Sequence, residues 1–152
     1  MREFRHIHQS TLTNGMRIVT DRMETVETAS IGVWVNAGAR DENIEVNGIS
    51  HMLEHMAFKG TLRRNAYAIA AEIEAVGGHL NAYTSRENTA YFAKVLKEDV
   101  PLAIDILSDI LQNSVLNEAE LERERAVILQ EISQAHDTPD DIVFDHFQET
   151  AF

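Results

Sequence analysis

Residues 48–61 read GISHMLEHMAFKGT and predict a helix that carries two histidines four positions apart, His51 and His55. Side chains at positions i and i+4 lie on one face of a helix, about 5–6 Å apart at Cβ, so both imidazoles can bind one metal ion. Glu54 lies on nearly the same side, where its carboxylate can reach a water held by that metal. The spacing therefore predicts a metal site with Glu54 as the general base.

The histidine pair by itself leaves a second interpretation open. An ordinary buried helix, whose histidines are simply satisfied core or surface residues, would carry the same apolar neighbours, Met52, Leu53, Met56, Ala57 and Phe58. His-x-x-Glu-His is the inverse of the zinc-binding helix motif His-Glu-x-x-His, but short motifs also match by chance. A third ligand is needed to decide between the two interpretations.

Glu131 is the best candidate for a third ligand, because a catalytic zinc site usually has three protein ligands and leaves the fourth position to water. It lies in a second strongly helical segment, 76 residues beyond His55 (131 − 55 = 76). Glu124 precedes Glu131 by two helical turns, so both carboxylates project from one face. We predict that Glu131 binds the metal and that Glu124 supports the ligands from behind.

Composition limits the classes of partner. The 152 residues include 13 Lys and Arg against 25 Asp and Glu, a formal net charge of −12, so no basic excess is available for nucleic acid. The acidic balance favours cationic partners, although plain solubility would also account for it. Because the chain has no cysteine, a transition-metal site must use histidine and carboxylate ligands.

Targeting signals are absent from the pattern of this sequence. Residues 1–8 carry charges and lack the apolar core of a signal peptide, and no run reaches the roughly 18–20 apolar residues of a membrane span. We expect a soluble protein without a membrane partner. The bacterial cytoplasm is the default location, and the mitochondrial matrix is the alternative if a presequence has been removed.

The strand signals predict a mostly antiparallel sheet. Asn14-Gly15 between two short apolar runs is a strong hairpin signal, and residues 29–36 alternate as a strand that we interpret as central in the sheet. Residues 79–85 and 88–96 read as paired strands. With helices packed on one face of this sheet, the fold class is predicted as α+β.

The helix signals are caps and apolar spacing. The motif helix should begin near Val46 and end near Lys59-Gly60, while Asn65 and Gly77-Gly78 should bound the next helix. Residues 98–112 have an apolar face that we expect to pack on the sheet, and Asn117 should cap the helix that carries Glu124 and Glu131. A last helix is predicted from Pro139, with a buried side formed by Ile142, Val143, Phe144 and Phe147.

The chain resembles the pitrilysin-family (inverzincin) zinc peptidases, and among them the processing peptidases, in five blocks that cover nearly its whole length: 13–17, 34–40, 51–61, 80–87 and 122–131. The resemblance implies that His51, His55 and Glu131 bind Zn²⁺ and that Glu54 is the base; the spacing of 76 agrees with the family. Inactive subunits of this family usually lose motif residues, and this chain keeps them. A zinc endopeptidase is therefore favoured over a non-catalytic scaffold subunit.

Domain organisation and partners follow from the same resemblance. It implies that residues 1–152 are a truncated N-terminal catalytic domain of a longer peptidase, which needs its C-terminal half and acts as a homo- or heterodimer on peptides. We therefore expect the isolated 152-residue chain to be catalytically silent. A merely structural metal site is less favoured, because such sites normally close the fourth position.

Two further segments are candidates for substrate contacts by resemblance. Leu80, Asn81, Ala82, Tyr83 and Thr84 are similar to the edge strand to which a peptide adds as a further strand, although an ordinary sheet strand would look the same. Asp141 and Asp145 are similar to a carboxylate pair associated with a substrate arginine. The family usually has Glu at the first of these positions, and a solvated acidic helix start is the alternative.

Overall fold

The computed structural model describes residues 6–151, with every side chain in that range except those of His6 and Asp141. Five strands and five helices occupy most of this range. The strands are β1 His6–Thr11, β2 Arg17–Arg22, β3 Thr28–Val35, β4 His79–Thr84 and β5 Thr89–Leu96. The helices are α1 Ile49–Ala57, α2 Ala66–Ala75, α3 Val100–Gln112, α4 Glu118–Asp137 and α5 Pro139–Ala151. None of the helices in this range is long and apolar enough to cross a membrane.

Strands β1 and β2 form the predicted antiparallel hairpin. Leu12 N–H donates to the Met16 carbonyl at 2.8 Å, and Gly15 N–H donates to the Leu12 carbonyl at 2.9 Å. Gly15 has φ +87°, a conformation that costs an L residue about 1–2 kcal/mol but costs glycine little. The Asn14-Gly15 signal therefore predicted both the turn and the pairing.

The second sheet has three antiparallel strands in the order β3-β5-β4. The pairing of β4 with β5 confirms the prediction for residues 79–96, and Ala93 pairs with Ile31 on one side and with Leu80 on the other. The prediction that β3 is central was wrong, because β5 is the central strand among the described residues. An alternating pattern reports that one face is covered, and it does not report how many neighbours a strand has.

The helices pack on one face of this sheet, as predicted for an α+β domain. Helix α3 contacts β3 and β5, while α1 and α2 contact β4. Apolar side chains between the layers form one buried cluster, which consists of Ala57, Ile69, Ile73, Tyr91, Ala93, Val95, Ala103, Ile106, Leu107 and Ile110. Burial of each large aliphatic side chain contributes roughly 1.5–3 kcal/mol. The cluster fixes the helix layer against the sheet.

Helix ends agree closely with the capping signals in the sequence. The Asn65 side chain accepts from Ala68 N–H, and the Asn117 side chain accepts from Ala119 and Glu120 N–H. Gly77, at φ +68°, ends the turn after α2. Helix α1 is the exception, because it begins at Ile49 and not near Val46.

The predicted buried side of α5 is wrong in the described structure. Val143, Phe144 and Phe147 are 55%, 64% and 62% exposed, and Ile142 is half-buried. Helix α5 packs mainly against α4, so within residues 6–151 little else lies over its apolar side. Apolar spacing identifies which side a helix can bury, but a packing partner has to be present for burial to occur.

A buried carboxylate fixes the loop that follows α1. Asp109, on α3, is fully buried and accepts hydrogen bonds from the Thr61 hydroxyl at 2.7 Å, the Arg63 and Arg64 guanidinium groups at 3.1 and 3.0 Å, and the Asn113 amide at 2.9 Å. Burial opposes ionisation of Asp109, but these four donors outweigh it and hold its pKa well below the ordinary value. The carboxylate thereby joins the end of α1 to the core.

Asp109→Asn is expected to lower the free energy of unfolding at pH 7 by about 3 kcal/mol, because it removes the buried charge that faces Arg63 and Arg64. Asp105→Asn is the matched control, since Asp105 pairs with the same two arginines but its side chain is 44% exposed, and it should cost about 1 kcal/mol or less. Urea denaturation of both variants measures the difference, and equal losses would contradict the assignment.

The difference in free energy of unfolding between wild type and Asp109→Asn should depend on pH. Because the pKa of Asp109 is lowered in the folded state, its contribution is present above the unfolded pKa of about 3.9 and is lost as the pH falls further. The stability gap between wild type and Asp109→Asn should therefore narrow below about pH 4. A gap that stays constant down to pH 2 would rule out this ionic role.

Candidate metal centre

Helices α1 and α4 lie side by side and bring three candidate ligands together. One ligand atom from each of His51, His55 and Glu131 lies within 4.8 Å of the others. Glu131 Oε2 is 3.5 Å from Nε2 of both histidines, and the two imidazole rings stand edge to face with centroids 4.8 Å apart. The arrangement follows from helical spacing, since His51 and His55 are one turn apart on the face that meets α4.

Glu124 lies behind this group and contacts His55. Its Oε2 is 2.9 Å from His55 Nδ1, and its Oε1 is 2.7 Å from the Lys59 ammonium. Burial opposes ionisation of Glu124, but hydrogen bonds from Lys59 and His55 lower its pKa. Since a carboxylate accepts, His55 Nδ1 donates to Glu124, which leaves the Nε2 lone pair of His55 directed to the metal-binding group.

Glu54 is half-buried on the same helix. Its position is reported by Tyr91 on β5, whose pKa is raised by burial and further by the negative charge of Glu54. Glu54 therefore lies within electrostatic reach of Tyr91 on the sheet side of α1, one residue before His55. The group of candidate ligands found among the described residues does not include Glu54.

Glu42 is a residue that the sequence analysis missed. Helix α1 has Gly48 as its N-cap residue, which has no side chain to satisfy the free N–H groups of the first turn. The Glu42 carboxylate accepts from two N–H groups at this end of the helix, from Gly48 at 2.6 Å and from Ser50 at 2.8 Å. Partial burial opposes its ionisation, but the bonds from Ser50 and Gly48 lower the pKa of Glu42.

Local sequence rules could not have found this cap. The capping box pairs residues three positions apart, whereas Glu42 is six residues from Gly48. The loop that carries Glu42 is held by the turn between β4 and β5, because Ala39 N–H and Arg40 N–H donate to the Ser85 and Arg86 carbonyls of that turn. The one available signal was a glycine in the N-cap position, which requires an acceptor from elsewhere in the fold.

Strand β4 holds the residues similar to a substrate strand, and it lies at the edge of the three-stranded sheet. Leu80, Ala82 and Thr84 are half-buried towards the helices, while Asn81 and Tyr83 are exposed on the other face. The Thr84 hydroxyl donates to the Ser50 carbonyl in the first turn of α1 at 3.4 Å. The strand therefore runs beside the helix that carries the candidate ligands.

Of the two candidate arginine contacts, Asp145 is described in full and is not part of the group formed by His51, His55 and Glu131. Asp145 is exposed on α5, and its Oδ1 is 3.5 Å from Arg86 Nη2 in the turn between β4 and β5. Asp141 belongs to the same helix, but its side chain lies outside the described part of the structure. The structure thus brings Asp145 near the end of β4 through its contact with Arg86.

The sequence predicts that His6, His8, His136 and His146 face solvent and that His79 is a strand residue and not a ligand. His79 is exposed on β4, and His8, His136 and His146 are exposed as well. The expectation that His6 faces solvent concerns a side chain outside the described set. Among the described residues, only His51, His55 and Glu131 form a group of metal-ligand type.

A family model matches most of the chain. Residues 17–152 match the insulinase model, peptidase family M16. The chain belongs to peptidase family M16. The resemblance to zinc peptidases that the sequence blocks indicated is thereby confirmed at the level of the family.

Individual relatives agree with the predicted branch of that family. The mitochondrial-processing peptidase subunit beta of Lentinula edodes is 52% identical over 143 residues, which cover 94% of this chain and 31% of the relative. The corresponding subunits of Saccharomyces cerevisiae and Homo sapiens are 51% and 48% identical, over 94% and 93% of this chain and 31% and 29% of their own lengths. The chain thus spans about a third of these relatives.

A solved structure supports the fold. A protease from Helicobacter pylori superposes with a TM-score of 0.86 at 27% sequence identity, over 92% of this chain and 34% of that chain. The fold of this chain therefore occurs in a protein named as a protease.

Glu42→Ala is expected to lower the free energy of unfolding by about 1 kcal/mol, the usual cost of losing a helix cap, because two N–H groups of α1 lose their acceptor. Glu45→Ala is the control, since Glu45 is exposed in the same loop and its loss should change stability by less than about 0.5 kcal/mol. Urea denaturation at pH 7 measures both. Equal effects of the two substitutions would show that Glu42 does not act as a cap.

Proposed function

We propose that this chain carries the catalytic centre of a zinc metalloendopeptidase that hydrolyses extended peptides. The observation that carries the proposal is the convergence of His51, His55 and Glu131, whose ligand atoms lie within 4.8 Å of one another. Two imidazoles and one carboxylate form a donor set that catalytic zinc takes, with the fourth position left to water. The bond from His55 Nδ1 to Glu124 orients the ring for ligation through Nε2, so the donor set fits zinc.

The residues of the chain divide the chemical work. Zinc held by the three donors would act as a Lewis acid on the scissile carbonyl and lower the pKa of water towards ~7. Glu54 takes one proton from the attacking water as the water oxygen bonds to the carbonyl carbon. It then gives that proton to the amide nitrogen as the C–N bond breaks, so the products are a carboxylic acid and an amine.

Two other functions are less well supported. A non-catalytic scaffold subunit of a heterodimeric peptidase would not need the base, yet this chain retains Glu54 with all three ligand candidates. A structural zinc site normally uses four protein ligands, whereas the group found among the described residues has three. An open catalytic site suits three donors and an adjacent base better than either alternative.

The setting of this centre is also part of the proposal. Residues 1–152 act as the N-terminal catalytic domain of a peptidase, together with a C-terminal half and a second subunit. Relatives named as beta subunits, of which the chain spans about a third, support this arrangement. Their mitochondrial names support the matrix over the bacterial cytoplasm as the location.

Strand β4 is proposed as the docking edge for the peptide. Ser85 N–H donates to the Asn88 carbonyl, and antiparallel strands alternate their bonding direction, so the Ala82 N–H points away from β5. That N–H donates at 2.8 Å to the Asn81 side chain of its own strand. A peptide that adds to β4 would replace this local bond by a main-chain bond.

Asp141 and Asp145 are proposed to bind an arginine of the substrate. Asp145 already has a guanidinium partner in Arg86 at 3.5 Å. Both side chains are exposed, so a substrate arginine could replace Arg86 at little cost in free energy. A carboxylate pair binds guanidinium with two parallel hydrogen bonds that lysine cannot reproduce. The net charge of −12 agrees with a basic peptide substrate.

Substitution of the candidate ligands tests the metal centre. His51→Ala, His55→Ala and Glu131→Ala should each abolish zinc binding, because two ligands do not hold a catalytic zinc ion tightly. Glu54→Gln should retain zinc and lose about 10²–10⁴-fold in peptide hydrolysis, since only the proton transfer is removed. Metal content and cleavage rate are measured on the protein at its natural length, and Glu45→Gln serves as the control. Normal cleavage by Glu54→Gln would overturn the mechanism.

Arginine recognition is tested with two peptides. One has Arg two residues before the scissile bond and the other has Ala there. The wild type should cleave the Arg peptide with the higher kcat/KM, and the variant Asp141→Asn/Asp145→Asn should lose about tenfold of that preference, or about 1.4 kcal/mol. Asp140→Asn, which removes an exposed charge from the same helix, is the control. An unchanged preference in the double variant would exclude these carboxylates.

A further inference from the structure

Glu124 holds two donors at once, one on each of its oxygens. His55 Nδ1 lies 2.9 Å from Oε2, and the Lys59 ammonium lies 2.7 Å from Oε1. The Glu124 side chain is 8% exposed and the Lys59 side chain is 31% exposed, so the ion pair is largely shielded from water. The ammonium therefore provides charge compensation for a carboxylate that would otherwise be costly to bury.

The backbone fixes Lys59 in register with His55. Lys59 is one helical turn beyond His55, and its N–H donates to the Met56 carbonyl at 3.1 Å, so the helical turn continues past the end of α1. The next residue, Gly60, accepts from Val115 N–H at 3.1 Å, just before α4 begins. The backbone around Lys59 is thus bonded to the end of α1 and to the segment that precedes α4.

We propose that Lys59 is a positioning residue for the metal centre, acting on His55 through Glu124. The proposal rests on the proposed function, because it needs a metal bound at His51, His55 and Glu131. Lys59 lies outside the group of candidate ligands, and its side chain orients the Glu124 carboxylate. Lys59 contacts neither metal nor substrate in this role.

The geometry explains why a second donor matters. A terminal carboxylate rotates easily, because the last torsion of a glutamate side chain has a broad energy profile. With Lys59 on one oxygen and His55 on the other, rotation breaks a charge-assisted hydrogen bond. The fixed carboxylate keeps the proton of His55 on Nδ1 and directs Nε2 to the metal, which is how outer partners of a ligating histidine act.

An exposed ion pair elsewhere in the chain gives the contrast. Lys97 pairs with Glu27, but their side chains are 65% and 71% exposed, and exposed pairs of this kind contribute little to stability. Neither residue belongs to the group of candidate ligands. Lys97→Met is therefore a matched control for Lys59→Met, since both remove one lysine charge from one ion pair.

The first experiment measures metal binding by the protein at its natural length. Metal-free wild type, Lys59→Met, Lys59→Arg and Lys97→Met are titrated with Zn²⁺ in competition with a chelating dye, and Co²⁺ spectra report ligand geometry. Lys59→Met should bind about tenfold more weakly with an altered Co²⁺ spectrum, at the lower end of effects reported for outer partners. Lys59→Arg should restore most of the affinity, and Lys97→Met should match the wild type.

A double-mutant cycle tests the route through Glu124. If Lys59 acts only through that carboxylate, Lys59→Met should have no further effect on affinity in a Glu124→Gln background. Equal weakening in both backgrounds would overturn the proposal, as would wild-type affinity and an unchanged spectrum for Lys59→Met. Lys59→Gln provides the same comparison if Lys59→Met does not fold.

A metal-free measurement separates this proposal from the proposed function. Long-range ¹H–¹⁵N spectra of the metal-free protein report which nitrogen of His55 carries the proton. Lys59→Met should lower the fraction with the proton on Nδ1, and Lys97→Met should not. If the wild type binds no metal but this tautomer shift occurs, the proposed function fails, and only the effect of Lys59 on the His55 proton remains. If metal binds equally well with and without Lys59, the positioning role fails and the metal centre stands.

Discussion

Helices α1 and α4 meet through the hydrogen bond between His55 and Glu124, two residues 69 positions apart in the sequence. This bond sets how the two helices face each other, and the remaining donors of the centre follow from that relation. His51 lies one turn before His55, and Glu131 lies two turns beyond Glu124, so both reach the same point once the helices are aligned. The bond therefore decides whether three separate side chains form one site.

Carboxylates hold α1 in place at both of its ends. Glu42 satisfies the first N–H groups, Asp109 secures the loop after the last turn, and Glu124 contacts the helix face between them. In each case burial opposes ionisation, and hydrogen-bond donors outweigh it and lower the pKa. An acidic chain with few cations thus uses its arginines, one lysine and backbone N–H groups where they fix the helix that carries the histidines.

The comparisons and the geometry support different parts of the conclusion. Family membership and a TM-score of 0.86 at 27% identity concern the architecture, which tolerates extensive substitution as long as the apolar pattern is kept. Function has to be argued from the site, because one fold can host several functions. Here the site supplies His51, His55 and Glu131, with Glu54 next to His55 in the sequence, and these are the groups on which the proposed zinc peptidase mechanism rests.

The sequence by itself determined the features that depend on neighbours a few residues apart. Asn14-Gly15 made the hairpin turn, Asn65 and Asn117 began their helices, and His51 and His55 faced the same way because a helix repeats every 3.6 residues. Only the tertiary structure decided that, among the described residues, β3 lies at an edge of the three-stranded sheet and the apolar side of α5 is exposed. It also decided that Glu42 caps α1 and that Lys59 shares Glu124 with His55. These contacts join residues that local patterns cannot relate, since they form only when packing brings distant segments into contact.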